Sequence, residues 1–264
     1  MATDTPRRTA LITGASGGIG AELARVLAAN DHDLVLVARR RDALEALAGQ
    51  LEGKHGITAT VLVDDLGDPE APARIFAATR AARIDVHVLI NNAGFGLGGE
   101  FAETPIEREM AMVQVNITSL IQLTKLYAAP MLQRRAGYVM NVASTAAFFP
   151  GPMMSVYYAT KAFVLSFSQA LAEELSSSGI VVSCLCPGPT ETEFASVAQV
   201  SKAKLFDGNV ADAREVAEFG YRAMMAGERV AIHGARNKLL VQAQRFVPRS
   251  LIARAVKKLQ DSRN

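Results

Sequence analysis

The 264-residue sequence predicts an α/β fold: a doubly wound parallel sheet of about seven strands, helices on both faces and a helical C-terminal extension. Three observations predict it. Short apolar runs alternate with longer stretches of helical period along most of the chain. The clearest of those runs, residues 33–38, is continuously apolar from Leu34 onward, as a strand covered on both faces should be. A glycine-rich turn lies directly between the first strand-like run and the first amphipathic stretch.

Taken in order, residues 9–13 form the first strand and 19–29 the first helix. Residues 33–38 form the second strand, 42–55 a helix, 58–63 a β-branched third strand, 70–82 an Ala-rich helix and 86–91 the fourth strand. Pro105 suits a first helical turn with Thr104 as its cap, and that helix runs to about residue 133. A fifth strand covers 138–143, and a long helix over 156–177 ends before Gly179. A sixth strand covers 180–186 and a weaker seventh 229–233. The whole, residues 1–264, is expected to be one domain, with 236–264 a basic tail.

Composition removes several function classes. A net charge of +2 does not mark a nucleic-acid binder. No apolar stretch approaches the roughly 20 residues that span a bilayer, and the polar first eight residues carry no signal-peptide core. A cytoplasmic location is the expectation. Cys184 and Cys186, two apart on a strand, read as small buried hydrophobes. The four histidines (His32, His55, His87 and His233) match no ligand spacing, so no metal is expected.

The glycine-rich turn contains Gly14, Ser16, Gly17, Gly18, Ile19 and Gly20. Glycines there let the chain turn tightly and let its backbone approach a pyrophosphate, while the following helix offers N–H groups and a partial positive charge to that anion. A tight strand–helix turn can be glycine-rich for packing alone. The spacing of glycines 14, 18 and 20 also differs from the older G-x-G-x-x-G dinucleotide pattern.

Five motifs in order resemble the short-chain dehydrogenase/reductase family. These are T-G-x-x-x-G-x-G at 13–20, N-N-A-G with Asn92, Ala93 and Gly94, the helical Asn116, Ser144 thirteen residues before Tyr157 in Y-x-x-x-K ending at Lys161, and Pro187-Gly188 followed by Thr192. The match covers roughly residues 9–235, and a finer likeness is to broad-specificity reductases with a basic C-terminal extension. The resemblance implies a Rossmann-like fold, hydride transfer with a nicotinamide dinucleotide, and adenine contacts at Asp65 and Leu66. It also implies that Lys161 grips the nicotinamide ribose and that Asn116 holds a water leading from Lys161 to solvent.

The chemistry of the set is consistent with that. Carbonyl reduction needs a proton donor at the oxygen, and a Tyr of ordinary pKa about 10 is a poor base unless a cation favours its phenolate. Tyr157 and Lys161, four apart, share a helix face. Tyr157 is then the general acid in reduction and base in oxidation, and Ser144 holds the substrate oxygen. A Tyr–Lys pair at this spacing is commonly inert, and a strand-end Ser or a helical Asn is commonly bonded to local backbone; the company of the other motifs decides. Tyr158 points away from Lys161 and reads as packing or pocket lining. A non-catalytic NADP(H)-binding sensor or scaffold is the alternative, with enoyl reduction or epimerisation as other chemistries on the fold.

The second strand ends Val37-Ala38-Arg39, with no carboxylate to repel a 2′-phosphate and a guanidinium to bind one, which favours NADP(H). Arg40 and Arg41 read as a solvated start to the next helix. The loops after strands four, five and six carry Phe148, Phe149, Met153, Met154, Phe194 and Phe206, and the first two lack Lys and Arg. An apolar ketone, aldehyde or secondary alcohol is the expected small-molecule substrate. Small residues at 159, 162, 166 and 170 suggest a homodimer or homotetramer. The tail from Arg236 holds eight basic residues against the single acid Asp261, in two amphipathic runs split by Pro248. It reads either as a cover over the substrate loops or a neighbouring subunit, the favoured reading, or as a peripheral contact with an anionic membrane.

Overall fold

The computed structural model describes residues 7–198 and 210–260. The first half runs β1 (Arg8–Thr13), α1 (Gly18–Ala29), β2 (His32–Ala38), α2 (Arg41–His55), β3 (Ala59–Val63), α3 (Ala71–Ala81), β4 (Val86–Asn91) and α4 (Ile106–Val113). The second runs α5 (Ser119–Arg134), β5 (Gly137–Val142), α6 (Ser155–Leu175), β6 (Ile180–Cys186), the short α7 (Phe194–Val197), α8 (Ala213–Met225), β7 (Val230–Ile232), α9 (Ala235–Ala243) and α10 (Arg249–Gln260). The strands form one seven-stranded sheet in the order β3-β2-β1-β4-β5-β6-β7, every pairing parallel. The doubly wound Rossmann-like fold expected from the sequence is present.

Side-chain alternation explains why the strands read as unbroken apolar runs. On β1 and β2, Ala10, Ile12, Leu34 and Leu36 join a core on one face, with α1, α2 and α8. Leu11, Val35 and Val37 join the opposite core, with α3, α5 and α6. Both faces are covered, so both are mainly apolar. Strand order reverses between β1 and β4, and a cleft opens there beyond the carboxyl ends of the strands. Cys184 and Cys186 lie fully buried on β6 with their sulfurs 3.8 Å apart.

Four local expectations need correction. Pro105, not Thr104, is the cap residue of α4; the Thr104 hydroxyl instead donates to Glu109 Oε1 at 2.8 Å. The helix that follows is interrupted by a π-helical turn over Gln114–Thr118, and Asn116 sits in it. Helix α8 had no counterpart in the sequence reading. Its signals were there: Asp212 accepts from the backbone N–H groups of Arg214 and Glu215 at 2.8 and 3.0 Å, and Val216, Ala217, Gly220, Ala223 and Met224 recur at helical spacing. In α9 and the turn after it, Leu239 and Phe246 are exposed, at 70% and 89%, and only Val241 is buried. Of the apolar face expected for that first tail run, Leu240, Ala243 and Val247 line the cavity, whereas Leu239 and Phe246 do not.

No helix among the described residues is long and apolar enough to cross a membrane, and they hold no cluster of metal-ligating side chains.

Candidate active site

Every motif converges on the carboxyl edge of the sheet around a cavity of about 930 Å³. All the site residues expected from the sequence line it except Gly20 and Asn116, which lie just behind its wall. Phe206, expected in the substrate loop, lies outside the described residues, as do Asp261 and Arg263 of the tail.

The nucleotide loop follows from its glycines. Gly14 and Gly18 adopt left-handed conformations, φ +68° and +52°, that side chains disfavour. A Cβ at Gly20 would collide with the Gly14 carbonyl oxygen and the Asn92 amide, so its absence lets α1 press onto the end of β4. No side chain caps the N-terminus of α1, which leaves its first N–H groups facing the cleft. Thr13 ties the switch point together: its hydroxyl accepts from the N–H groups of Asn92 and Ala93, both at 3.0 Å, and Asn92 Nδ2 donates to the Thr13 carbonyl at 2.9 Å. A bridging role for this threonine went unread in the sequence, although it opens the T-G-x-x-x-G-x-G run.

At the adenosine end, Arg39 is exposed and faces Asp65 at 3.7 Å. Arg40 is not the solvated residue expected. Its guanidinium donates to the Ser16 carbonyl at 3.0 Å, to Ser16 Oγ at 3.3 Å and to Glu193 at 3.0 Å, folding it over the glycine loop. Arg41 pairs within its own helix with Glu45 and stays outside the cavity. Leu66 is held by Ser119, whose hydroxyl donates to its carbonyl at 2.7 Å.

At the other end lie Ser144, Tyr157 and Lys161. Ser144 leaves β5 as the cap of a single 3₁₀ turn (Thr145–Phe148), and its Oγ accepts from the Ala146 N–H at 3.1 Å. Its hydroxyl also reaches the Pro187 carbonyl at 3.4 Å, which joins the ends of β5 and β6. Tyr157 is 8% exposed. Burial pushes its phenol above the usual tyrosine range, and the neighbouring Ser144 hydroxyl pulls the other way. The depression by the Lys161 cation expected from the sequence is not seen in the protein alone: the phenol responds to burial, to Ser144 and to the neighbouring Tyr158. Lys161 is buried too, and burial lowers its ammonium to about 8. Its Nζ donates to the Val142 carbonyl at 2.8 Å and stands 5.9 Å from the centre of the Tyr157 ring.

Asn116 spends both amide N–H groups, on the Phe95 carbonyl and on Thr160 Oγ1, each at 3.0 Å, and its Oδ1 accepts from the Phe95 N–H at 3.1 Å. One lone pair of Oδ1 is left for a water. A Cβ at Gly94 would lie 3.0 Å from Oδ1 and 3.4 Å from Lys161 Nζ, so Gly94 keeps open the gap between them. Beyond Tyr157 the cavity turns apolar. Phe149, Met154 and Phe194 line it as expected, whereas Phe148 packs in the core beneath and Met153 is not in the wall. Helices α9 and α10 close the far side, with Val241, Ile252 and Val256 turned inward.

A model of the short chain dehydrogenase family matches residues 8–203. A very-long-chain 3-oxoacyl-CoA reductase of Phaeosphaeria nodorum is 36% identical over 185 residues, which make up 68% of this chain and 54% of that protein; the match spans only about half the relative's length. Among solved structures, a short-chain dehydrogenase from Sphingobium yanoikuyae in complex with NADPH is 37% identical with a TM-score of 0.81, covering 91% of this chain and 94% of that one. The bulky-bulky ketone specific alcohol dehydrogenase from Comamonas testosteroni is 33% identical with a TM-score of 0.78, covering 92% and 94%.

Proposed function

Because the chain belongs to the short-chain dehydrogenase family, whose members are oxidoreductases, we propose that it is an NADP(H)-dependent enzyme that interconverts a bulky apolar ketone or aldehyde and the corresponding alcohol. One observation carries this reading. The buried Tyr157, with Ser144 and Lys161 around it, stands where a cleft suited to a dinucleotide meets an apolar chamber. NADPH in the Sphingobium relative and the bulky ketone specificity of the Comamonas relative point the same way.

The residues present fit the cofactor. The side-chain-free approach at Gly14 and Gly18 and the uncapped α1 suit a pyrophosphate, and Arg39 and Arg40, two cations in the cavity wall after β2, suit a 2′-phosphate. Bound there, NADPH supplies a hydride to the substrate carbon, and NADP⁺ removes one in the reverse direction. Tyr157 gives its phenolic proton to the substrate oxygen, and its raised pKa keeps that proton in place until charge develops. Ser144 Oγ donates to the same oxygen and fixes it. The Lys161 cation stabilises the phenolate left behind, while its remaining N–H groups are available to the ribose hydroxyls. Asn116 Oδ1, across the gap at Gly94, receives a water that returns the proton from solvent.

Tyr157→Phe removes the phenolic hydroxyl and leaves the ring to pack. Turnover of the best ketone is expected to fall about 10²–10⁴-fold, with NADPH affinity nearly unchanged by fluorescence titration. Near-normal turnover would sink the assignment, and no parent turnover with any carbonyl would favour a binding protein.

A further inference from the structure

The apolar chamber contains one buried polar pair that the reaction does not use. Tyr158, on α6, and Gln260, at the end of α10, are 7% and 6% exposed, and both line the cavity. Gln260 Nε2 donates to the Tyr158 hydroxyl oxygen at 2.7 Å, a contact across 102 residues of sequence. The phenol accepts in that bond, so its own proton is left over. Gln260 Oε1 is buried and has no hydrogen-bond partner among the described residues. A donor and an acceptor therefore stand together, unspent, in surroundings made of Met154, Ile252 and Val256.

Buried polar groups are ordinarily paired, and leaving them unpaired is costly. A core that needed only closure would place an apolar side chain at the end of α10. Turning the carboxamide over changes which atoms are left: Nε2 then faces the cavity as the spare donor and Oε1 accepts from the phenol. A ligand hydroxyl, which donates and accepts, completes the pair in either orientation. A carbonyl or an ether supplies only an acceptor and an ammonium only donors.

We propose that Tyr158 and Gln260 form a recognition site for a second oxygen function of the substrate, a hydroxyl carried by the same apolar skeleton as the reacting carbonyl. The substrate class is then a bulky hydroxyketone, or the diol formed from it. Tyr158 neighbours Tyr157, with ring centres 6.0 Å apart, so one ligand held at both phenols is fixed in orientation at the reacting carbon. The inference rests on the reading of the cavity as the substrate site. It also gives α10 a role beyond cover, because the helix end supplies half of the recognition.

The test uses the full chain with NADPH and a matched pair of fused-ring ketones, one with a single ring hydroxyl and one with hydrogen in its place. Both binding, by calorimetry in the presence of NADP⁺, and turnover are measured. The parent protein should prefer the hydroxyketone by about tenfold or more in Kd and in kcat/KM, the size of one buried hydrogen bond. Gln260→Met and Tyr158→Phe, on different elements, should each bring that ratio close to one. A variant that merely loosens the fold lowers both ketones together and leaves the ratio standing, which would overturn the proposal. So would equal binding of the two ketones by the parent. Selective binding without turnover of either ketone would uphold the recognition pair and refute the oxidoreductase reading.

Discussion

At the scale of single residues, the two cations after β2 divide the work at the adenosine end. Arg40 is tethered to Ser16 and Glu193, whereas among the described residues Arg39 has only a long contact to Asp65. Arg39 is the one able to turn to a phosphate at little cost. Arg39→Asp should raise the KM for NADPH tenfold or more and leave that for NADH equal or lower, since it adds repulsion as well as removing a partner. Equal losses with both cofactors would show that the wrong arginine was chosen. Lys161 makes a second prediction, of stability. Its ammonium titrates near 8 in the folded protein against the ordinary 10.5, so between those values the unfolded chain holds a proton that the native one has lost. Stability from this group therefore rises with pH across about 8 to 10.5, by at most about 1.4 kcal/mol per pH unit. Below pH 8 the full penalty of burying the charge is present. Urea melts at pH 7 to 10 should show that slope in the parent and a flatter one in Lys161→Met. Parallel slopes would mean that Lys161 is not the group responsible.

At the scale of elements, the parts legible in the sequence were those whose side chains announce their own geometry. β1, β2 and β4 to β6 were readable because two-sided burial makes their central residues predominantly apolar, and the glycine turn because positive φ favours glycine. Helix α8 was missed because its buried residues are mostly small and so only weakly apolar. The π-helical turn at Asn116 was unreadable because one extra residue in a helix leaves no compositional mark. Arg40 was misjudged for a different reason. Its partners Ser16 and Glu193 come from β1 and β6 loops that only the sheet order brings together. The tail lines the cavity with Leu240, Val241, Ala243, Val247, Ile252 and Val256, whereas Leu239 and Phe246 stay exposed, because which side of a short apolar run turns inward depends on what it packs against. A chain ending after Arg236 should accordingly bind NADPH within about twofold of the parent and show a KM for ketone raised by tenfold or more, in the absence of any lipid. An unchanged KM would remove α9 and α10 from the substrate site. Loss of vesicle binding as the sole effect would support the membrane reading of the tail.

At the scale of the whole molecule, α6 is the hinge of the argument for assembly. Its inward stripe, Tyr157, Lys161, Val164 and Ser168, is committed to the site and the sheet. The small residues Ala159, Ser166 and Ala170 lie on the opposite, exposed side, so they are not spent on close packing within the subunit. We expect that face to meet its copy about a two-fold axis. Light scattering should give a multiple of the 28.1 kDa chain mass, and Ser166→Arg should reduce it to one chain. A parent that stays at single-chain mass at every concentration would end the idea.

The two sulfurs inside β6 have a consequence for how the molecule can be watched. Cys184 and Cys186 are sealed in the strand beside Lys161's anchor on β5, between β5 and the short β7. A thiol reagent in the surrounding water reaches neither until the strand parts from its neighbours, so the rate at which label accumulates is a clock for transient opening of the sheet's centre. Any compound that binds only the closed sheet slows that clock in proportion to its occupancy. The protein thus carries its own reporter of ligand affinity, one that needs no turnover and no knowledge of the reaction.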